Sequence, residues 1–554
     1  MLAHPLRRFG ASVLAATFSF AVVRDTFAID LPADFRAAIE QGVANGRYQS
    51  VAVALIERDQ HGEWVFGAVE PGGAQPETAD AFEIGSTTRS FTGLLFARAI
   101  LAGKVHLTDT LGKLFAEVRF ADPHLAAATL GQLAIHRAGL PALPSNLFPR
   151  SVEDPYVQYD AAALQTYLSH ARLDAADIGA YRYSDLGVAL LGEAIARAYR
   201  RDFRSVLASE VLAPLALAGT GFGSVPRLLD GRRDGNAASH WQYQSLLPGA
   251  GLRSTLFDLS RFATAQLRPD ASPLRDAILL AREPRANAGG GETALAWQIV
   301  PVESDGQSWP LLWQAGVTGG FASFIGFRTD RQRAVIVLGN ESIDLSALGL
   351  ALLAERQAPA APPKRLVLPA ATAQIYDGLY RFDTGVDLVV RSGSGGSTMQ
   401  LGGQIPQPMF AYDEDAFEIG GGGSAQLTFG RDGTQIVGAT LHRNGANVRA
   451  ERLSEGAPAL KRNTSALSAK ELGAFAGDYA LSRTVRAHVV TAVPGLRVQL
   501  TGTAPTSLQY CAVDRFCDDE GTLEVAFARD RNGKISALDW RQGIFEAPAT
   551  RDDW

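Results

Sequence analysis

The stretch Phe82-Glu-Ile-Gly-Ser-Thr-Thr-Arg-Ser-Phe-Thr-Gly-Leu94 places a serine where a short apolar run gives way to a helix. Phe91, Leu94 and Leu95 form an apolar stripe at helical spacing, so Ser86 opens the helical stretch. A serine in that place has two readings. It can cap the helix, which is common. It can also be a nucleophile, because unpaired backbone N–H groups and the helix dipole favour negative charge developing there. The stretch alone does not choose between them.

The rest of the chain sets the frame. It has 554 residues, which at ~150 residues per domain suggests three or four domains. With 46% hydrophobic and 20% charged residues the composition is globular, neither disordered nor collagen-like. A net charge of −6 offers no basic surface of the kind nucleic-acid binding uses. The lysines are Lys104, Lys113, Lys364, Lys461, Lys470 and Lys534; the other basic residues are all arginine. A mechanism that needs a lysine amine between Lys113 and Lys364 is excluded.

Residues 1–28 read as a signal peptide: Arg7 and Arg8, an apolar stretch from Phe9 to Val23, then Thr26 and Ala28 as small cleavage-site residues. Arg24 and Asp25 follow too closely for a membrane span. The expected location is therefore periplasmic or secreted, with no span in the mature chain. In an oxidising compartment Cys511 and Cys517, six residues apart, are expected to close a small disulfide loop. Residues 29–356 mix predicted strands (Val51–Glu57, Ala334–Leu338) with amphipathic helices (Asp160–His170, Leu186–Ala198, Phe257–Leu267). A Pro-rich linker occupies 357–368. Beyond it the chain turns to short alternating runs rich in Gly, including Gly420–Ser424. Tyr376-Asp-Gly-Leu-Tyr380 recurs as Phe475-Ala-Gly-Asp-Tyr479, and His442-Arg-Asn-Gly445 as Trp540-Arg-Gln-Gly543, at offsets of 99 and 98. Two tandem β domains, 369–455 and 467–554, joined by a linker at 456–466, account for this.

Further motifs follow the serine in order: Thr129-Leu-Gly-Gln-Leu-Ala-Ile-His-Arg-Ala-Gly-Leu-Pro141, Tyr183-Ser-Asp-Leu-Gly187, Gly251-Leu-Arg-Ser-Thr255 with Asp258, Leu259 and Phe262, and Gln314-Ala-Gly-Val-Thr-Gly-Gly-Phe321. With the serine stretch, this series resembles the serine β-lactamases and penicillin-binding proteins, in the class C-like group that includes esterases and D-aminopeptidases, over roughly residues 32–350. The nucleophile motif of that family is S-x-x-K. The resemblance implies an α/β (α+β) sandwich, with helices packed on an antiparallel sheet and a helical subdomain. The two small all-β, barrel-like domains would follow it. It also implies an exported serine hydrolase working by acyl transfer on an amide, ester or peptide bond. The substrate would be a small molecule or peptide, including cell-wall-derived ones. No cofactor is expected, and the nine histidines show no metal spacing.

Carried over by motif, Ser86 would be the nucleophile and Tyr183 the general acid/base. The N–H groups of Ser86 and Val317 would form the oxyanion hole, with Gly316 beside them. Three positions depart from the family. Arg89 stands where it has lysine, Asp185 where it has asparagine, and Gln314 where it has histidine or lysine. A guanidinium with a pKa of ~12.5 or more stays charged, so Arg89 cannot be the base. It can hold charge near Ser86, three residues away on the same helix face. Arg89 and Asp185 also read as a complementary swap, pairing as guanidinium and carboxylate. Tyr183 is then the remaining base among the motif residues, at a phenol pKa of ~10.

Two other readings stand beside the hydrolase. One is a catalytically degenerate homologue that binds or regulates. The other is a surface-interaction protein whose β domains carry the function. His136 reads as structural, and His240, next to Trp241, as a surface residue near the cleft mouth.

Overall fold

The computed structural model describes residues 28–554 except 145, 148–153, 174–176, 234, 288–291, 383–386, 394–395, 402–406, 420–424, 444–445, 456–466, 482–484, 502–504, 519–522, 531, 543–544 and 552–554. The expected signal peptide (apart from Ala28), the run Gly420–Ser424 and the linker 456–466 lie outside the described residues.

Eight antiparallel strands make the first sheet: β1 (Ser50–Glu57), β2 (Gln60–Gly67), β3 (Ala286–Asn287), β4 (Glu292–Thr293), β5 (Gln298–Ser304), β6 (Gln307–Val317), β7 (Ala322–Arg328) and β8 (Arg333–Gly339). Their spatial order is β2-β1-β8-β7-β6-β5-β4-β3. The central strands β7 and β8 are buried along their whole length, so helices must cover both faces. Side chains alternate between those faces. Ala52, Ala54 and Ile56 of β1, with Ile336 and Leu338 of β8, face the larger helical layer. Val51, Val53 and Leu55, with Val335 and Val337, face α1 (Ala33–Ala44) and the helix Ser346–Leu353.

The larger layer contains α2 (Thr88–Leu101), α3 (Asp185–Tyr199) and α4 (Leu256–Leu267). Between residues 88 and 97 α2 has no exposed side, because α3, α4 and the short helices Leu247–Ala250 and Arg275–Ala281 pack around it. Phe91 stacks on Phe262 of α4 with centroids 4.1 Å apart, and Phe262 stacks on Trp297. Gly93 lets α2 press on the segment before β5; a Cβ there would lie 2.1 Å from the Leu295 carbonyl oxygen. Helix Ala161–His170 begins at Asp160, which caps it by accepting the Ala163 N–H. Each helix and strand predicted from sequence is present, with ends shifted by a residue at most.

Two closed eight-stranded antiparallel barrels follow, the first from Gly378–Phe382 to Ala446–Glu455, the second from Gly477–Ala480 to Phe545–Arg551. The first of the repeated markers is a shared closure; the second, 442–445 and 540–543, lies partly outside the described residues. Tyr380 Oη donates to the Tyr376 carbonyl, and Tyr479 Oη to the Phe475 carbonyl, both at 2.7 Å. Arg452 lies against the Tyr380 ring and donates to the carbonyls of Ile375, Asp377 and Ile436. Arg551 does the same with Tyr479, Ala474, Ala476 and Ile535. Cys511 and Cys517 are disulfide-bonded across a hairpin of the second barrel. Buried Arg47, just after α1, reaches the first barrel by donating to Glu418 Oε2 at 2.7 Å.

Gly93→Ala separates packing from propensity. Helix propensity alone favours alanine by about 1 kcal/mol. The contact with Leu295 predicts a net loss of about 1–3 kcal/mol, as for other overpacked cores. Thermal unfolding of the full chain should show a lowered first transition; an unchanged or raised one would mean that α2 shifts freely.

Candidate active site

Ser86 sits in a single 3-10 turn, Gly85–Thr87, between the short strand Ala81–Glu83 and α2. Neither the turn nor α2 is capped by a side chain, so the capping reading of Ser86 does not hold. A hydroxyl network locks the turn instead. Thr88 Oγ1 donates to the Gly85 carbonyl at 2.6 Å, and Ser90 Oγ to the Thr87 carbonyl at 2.8 Å. Ser323 Oγ on β7 donates to the Ile84 carbonyl at 2.7 Å and meets Thr87 Oγ1 at 2.8 Å. Thr87, Thr88, Ser90 and Ser323 are buried, while Ser86 itself is part-exposed.

Two glycines bring the end of β6 against this turn. Gly85 has φ +47°, a left-handed conformation that side chains disfavour. A Cβ on Gly316 would lie 2.5 Å from the Ser86 nitrogen and 2.3 Å from the Ile84 carbonyl oxygen. A Cβ on Gly85 would lie 3.3 Å from the Val317 nitrogen. The backbone of Gly316 and Val317 thus abuts that of Gly85 and Ser86, an approach that a side chain on Gly316 would block. Val317 is 43% exposed at the strand end.

The Tyr183 motif is built by a helix start. Ser184 caps α3 by accepting the Gly187 N–H at 2.9 Å, and its hydroxyl donates to the Pro141 carbonyl at 2.6 Å. That leaves Tyr183 just outside the helix and Asp185 in its first turn, where the dipole favours a carboxylate. His136 holds the loop from below. Its carbonyl accepts the Arg182 N–H at 2.8 Å, and its Nδ1 accepts the Ser184 N–H at 3.2 Å. Burial first, then the charge of Arg89, lower the His136 pKa to about 3, so the ring is neutral. This is the structural role expected of it.

Arg89 joins the two halves. It is fully buried, and its Nη2 donates to Ser86 Oγ at 2.9 Å. The same Nη2 contacts Asp185 Oδ1 as an ion pair. Its guanidinium carbon lies 4.2 Å from the centroid of the Tyr183 ring. Nε and Nη1 have no hydrogen-bond partner among the described residues. Burial lowers the guanidinium to about 9 and raises the Asp185 carboxyl to about 7. Their mutual contact acts the other way, stabilising both charges. The swap at positions 89 and 185 is therefore a physical pair.

Gln314 goes elsewhere: it is buried, and its Nε2 donates to the Ala296 carbonyl at 2.6 Å. Ser86, Arg89, Tyr183, Asp185, Gly316 and Val317 converge, whereas the side chain of Gln314 is turned to the segment before β5. Sequence reading missed an aromatic wall. Tyr243 is buried next to the pair, and burial holds its pKa well above the ordinary range. Tyr156 stacks on Tyr243, with centroids 4.9 Å apart. Trp241 packs against Gly319, just past Val317. The run His240-Trp-Gln-Tyr243 was its only local signal. His240 is stacked on Phe321, with Nδ1 3.0 Å from buried Glu83.

Residues 35–360 match the model of the Beta-lactamase family, a span that holds every residue of this site. A Beta-lactamase of Escherichia coli (strain K12) is 25% identical over 336 residues, 53% of this chain and 84% of the relative. A Beta-lactamase of Pseudomonas fluorescens is 22% identical over 329 residues, 53% of this chain and 88% of the relative. The D-alanyl-D-alanine-carboxypeptidase/endopeptidase AmpH of Escherichia coli (strain K12) is 26% identical over 227 residues, 40% of this chain and 58% of the relative. A serine on a locked turn, a strand end drawn against it through glycine, and a tyrosine loop fixed by a helix cap all lie within that match: the chain belongs to the beta-lactamase family.

Proposed function

We propose that the protein is an exported serine hydrolase that works by acyl transfer on an amide, ester or peptide bond. One observation carries the reading. Ser86 Oγ lies on a rigid turn whose backbone abuts that of Gly316 and Val317, and a buried cation donates to that same oxygen. In this reading Ser86 attacks the substrate carbonyl, and the N–H groups of Ser86 and Val317 hold the oxyanion that develops. Collapse of the tetrahedral intermediate leaves an acyl group on Ser86, which water then releases. The Arg89 guanidinium stabilises the oxygen of Ser86 as it loses its proton. The relatives named for β-lactam and D-alanyl-D-alanine cleavage support a substrate with a carbonyl–nitrogen bond, of small-molecule or cell-wall peptide type. The Arg-rich, apolar N-terminal sequence supports export.

Two outcomes test this. Intact-mass measurement with an acylating serine-hydrolase probe should show one adduct on the wild type and none on Ser86→Ala. An unlabelled wild type that also fails to turn over simple esters would overturn the reading. Gly316→Ala should cut the acylation rate by roughly 10²–10³, the cost of losing one oxyanion donor, because the new Cβ displaces the Ser86 nitrogen. A rate within a few-fold of wild type would remove the backbone nitrogens from the mechanism.

A further inference from the structure

The buried cation at Ser86 raises a question that the fold alone leaves open: where the serine proton goes. Arg89 cannot take it, since a guanidinium is donor-only. His136, Tyr183 and Asp185 all lie about the Arg89 guanidinium. His136 is committed, with Nδ1 accepting the Ser184 N–H, and its protonation is opposed by burial and by Arg89. Tyr183 lies against the guanidinium with its ring, and a phenol must lose its own proton before it can act as a base. Asp185 is different. A carboxylate is acceptor-only, ready for a proton without prior ionisation. Its Oδ1 and Ser86 Oγ both contact the same Arg89 Nη2. Oδ1 itself is buried, while the side chain as a whole is 29% exposed.

We propose that Asp185 is the general base of this site, accepting the Ser86 proton across the Arg89 Nη2 that both oxygens share. The assignment rests on the serine-hydrolase reading above. As the Oγ–C bond forms, the hydroxyl proton passes to Asp185, directly or through one water. The carbonyl π electrons move to the oxyanion. When the C–N or C–O bond breaks, the leaving group takes the proton from the Asp185 carboxylic acid. Water then attacks the acyl-enzyme, giving one proton to Asp185, which returns it to Ser86 Oγ as the acid product departs. The pair begins and ends as guanidinium and carboxylate, so no charge is left over. The charged and titratable groups around the carboxylate are Arg89 on α2, which pairs with it, and Tyr243 of the aromatic wall; Tyr181, Tyr183 and neutral His136 lie about the same guanidinium. Burial of the carboxyl raises its pKa to about 7, which suits a base working near neutrality.

Asp185→Asn is the decisive variant, because the amide oxygen still accepts from Arg89 while the basicity is lost together with the counter-charge of the pair. Pre-steady-state acylation of the folded variant by an activated ester should fall by roughly 10²–10⁴, the usual contribution of a general base, and its thermal midpoint should fall because the buried guanidinium is left unpaired. A variant that acylates within tenfold of wild type at every pH would overturn the base assignment and leave the hydrolase reading standing. A wild type that forms no adduct would overturn both. The wild-type pH profile gives an answer even if the variant fails to fold. With Asp185 as base the rate rises with pH along an acid limb and levels off at or just above neutrality. A rate that climbs steadily to pH ~10, with no limb near or below neutrality, would assign the proton to a phenol and overturn the proposal.

Discussion

A fully buried guanidinium is costly unless something answers its charge. At Arg89 that requirement organises the site. Its Nη2 binds Ser86 Oγ and the Asp185 carboxylate, and the Tyr183 ring covers it as a cation–π surface. Removing the carboxylate would leave a buried charge facing only a hydroxyl and a ring. Positions 89 and 185 are therefore read together. Neither residue is explicable alone, because a buried pair fails when one member is lost.

The scaffold around the pair is rigid for separate physical reasons on each side. On the serine side, short hydroxyl residues replace longer side chains and tie the turn to its own carbonyls and to β7. Gly85 and Gly316 allow two backbones to meet where a Cβ would collide. On the tyrosine side, a helix cap and a neutral histidine fix the loop from two directions. α2 connects both sides to the core. It is surrounded by apolar packing, so its orientation is set by the helices around it, α3 and α4 among them.

The barrels stand outside the family match and follow their own logic. Each closes its first strand on its last and ties that junction with a tyrosine and an arginine donating to backbone carbonyls. An arginine suits this task because its fork of donors satisfies several carbonyls at once. The first barrel is tied to the hydrolase domain through Arg47 and Glu418, a buried contact between residues far apart in sequence.

Much of this was legible in the chain. Alternating and helical periodicities marked the strands and helices, because the burial period of each element is written in its residue types. The repeat at 376–380 and 475–479 announced two copies of one unit, and the expectation of two small barrel-like domains is met by the two closed barrels. The serine turn and the Tyr183 loop were visible as ordered motifs. The absence of a lysine amine at position 89 was certain from the residue type alone. Only the tertiary structure decided the rest. It turned Gln314 away, brought the unmarked aromatic wall beside the pair, and set Arg89 between Ser86 and Asp185. Contacts, burial and proton affinity depend on distances between segments remote in sequence, and those distances exist only once the helices have packed on the sheet.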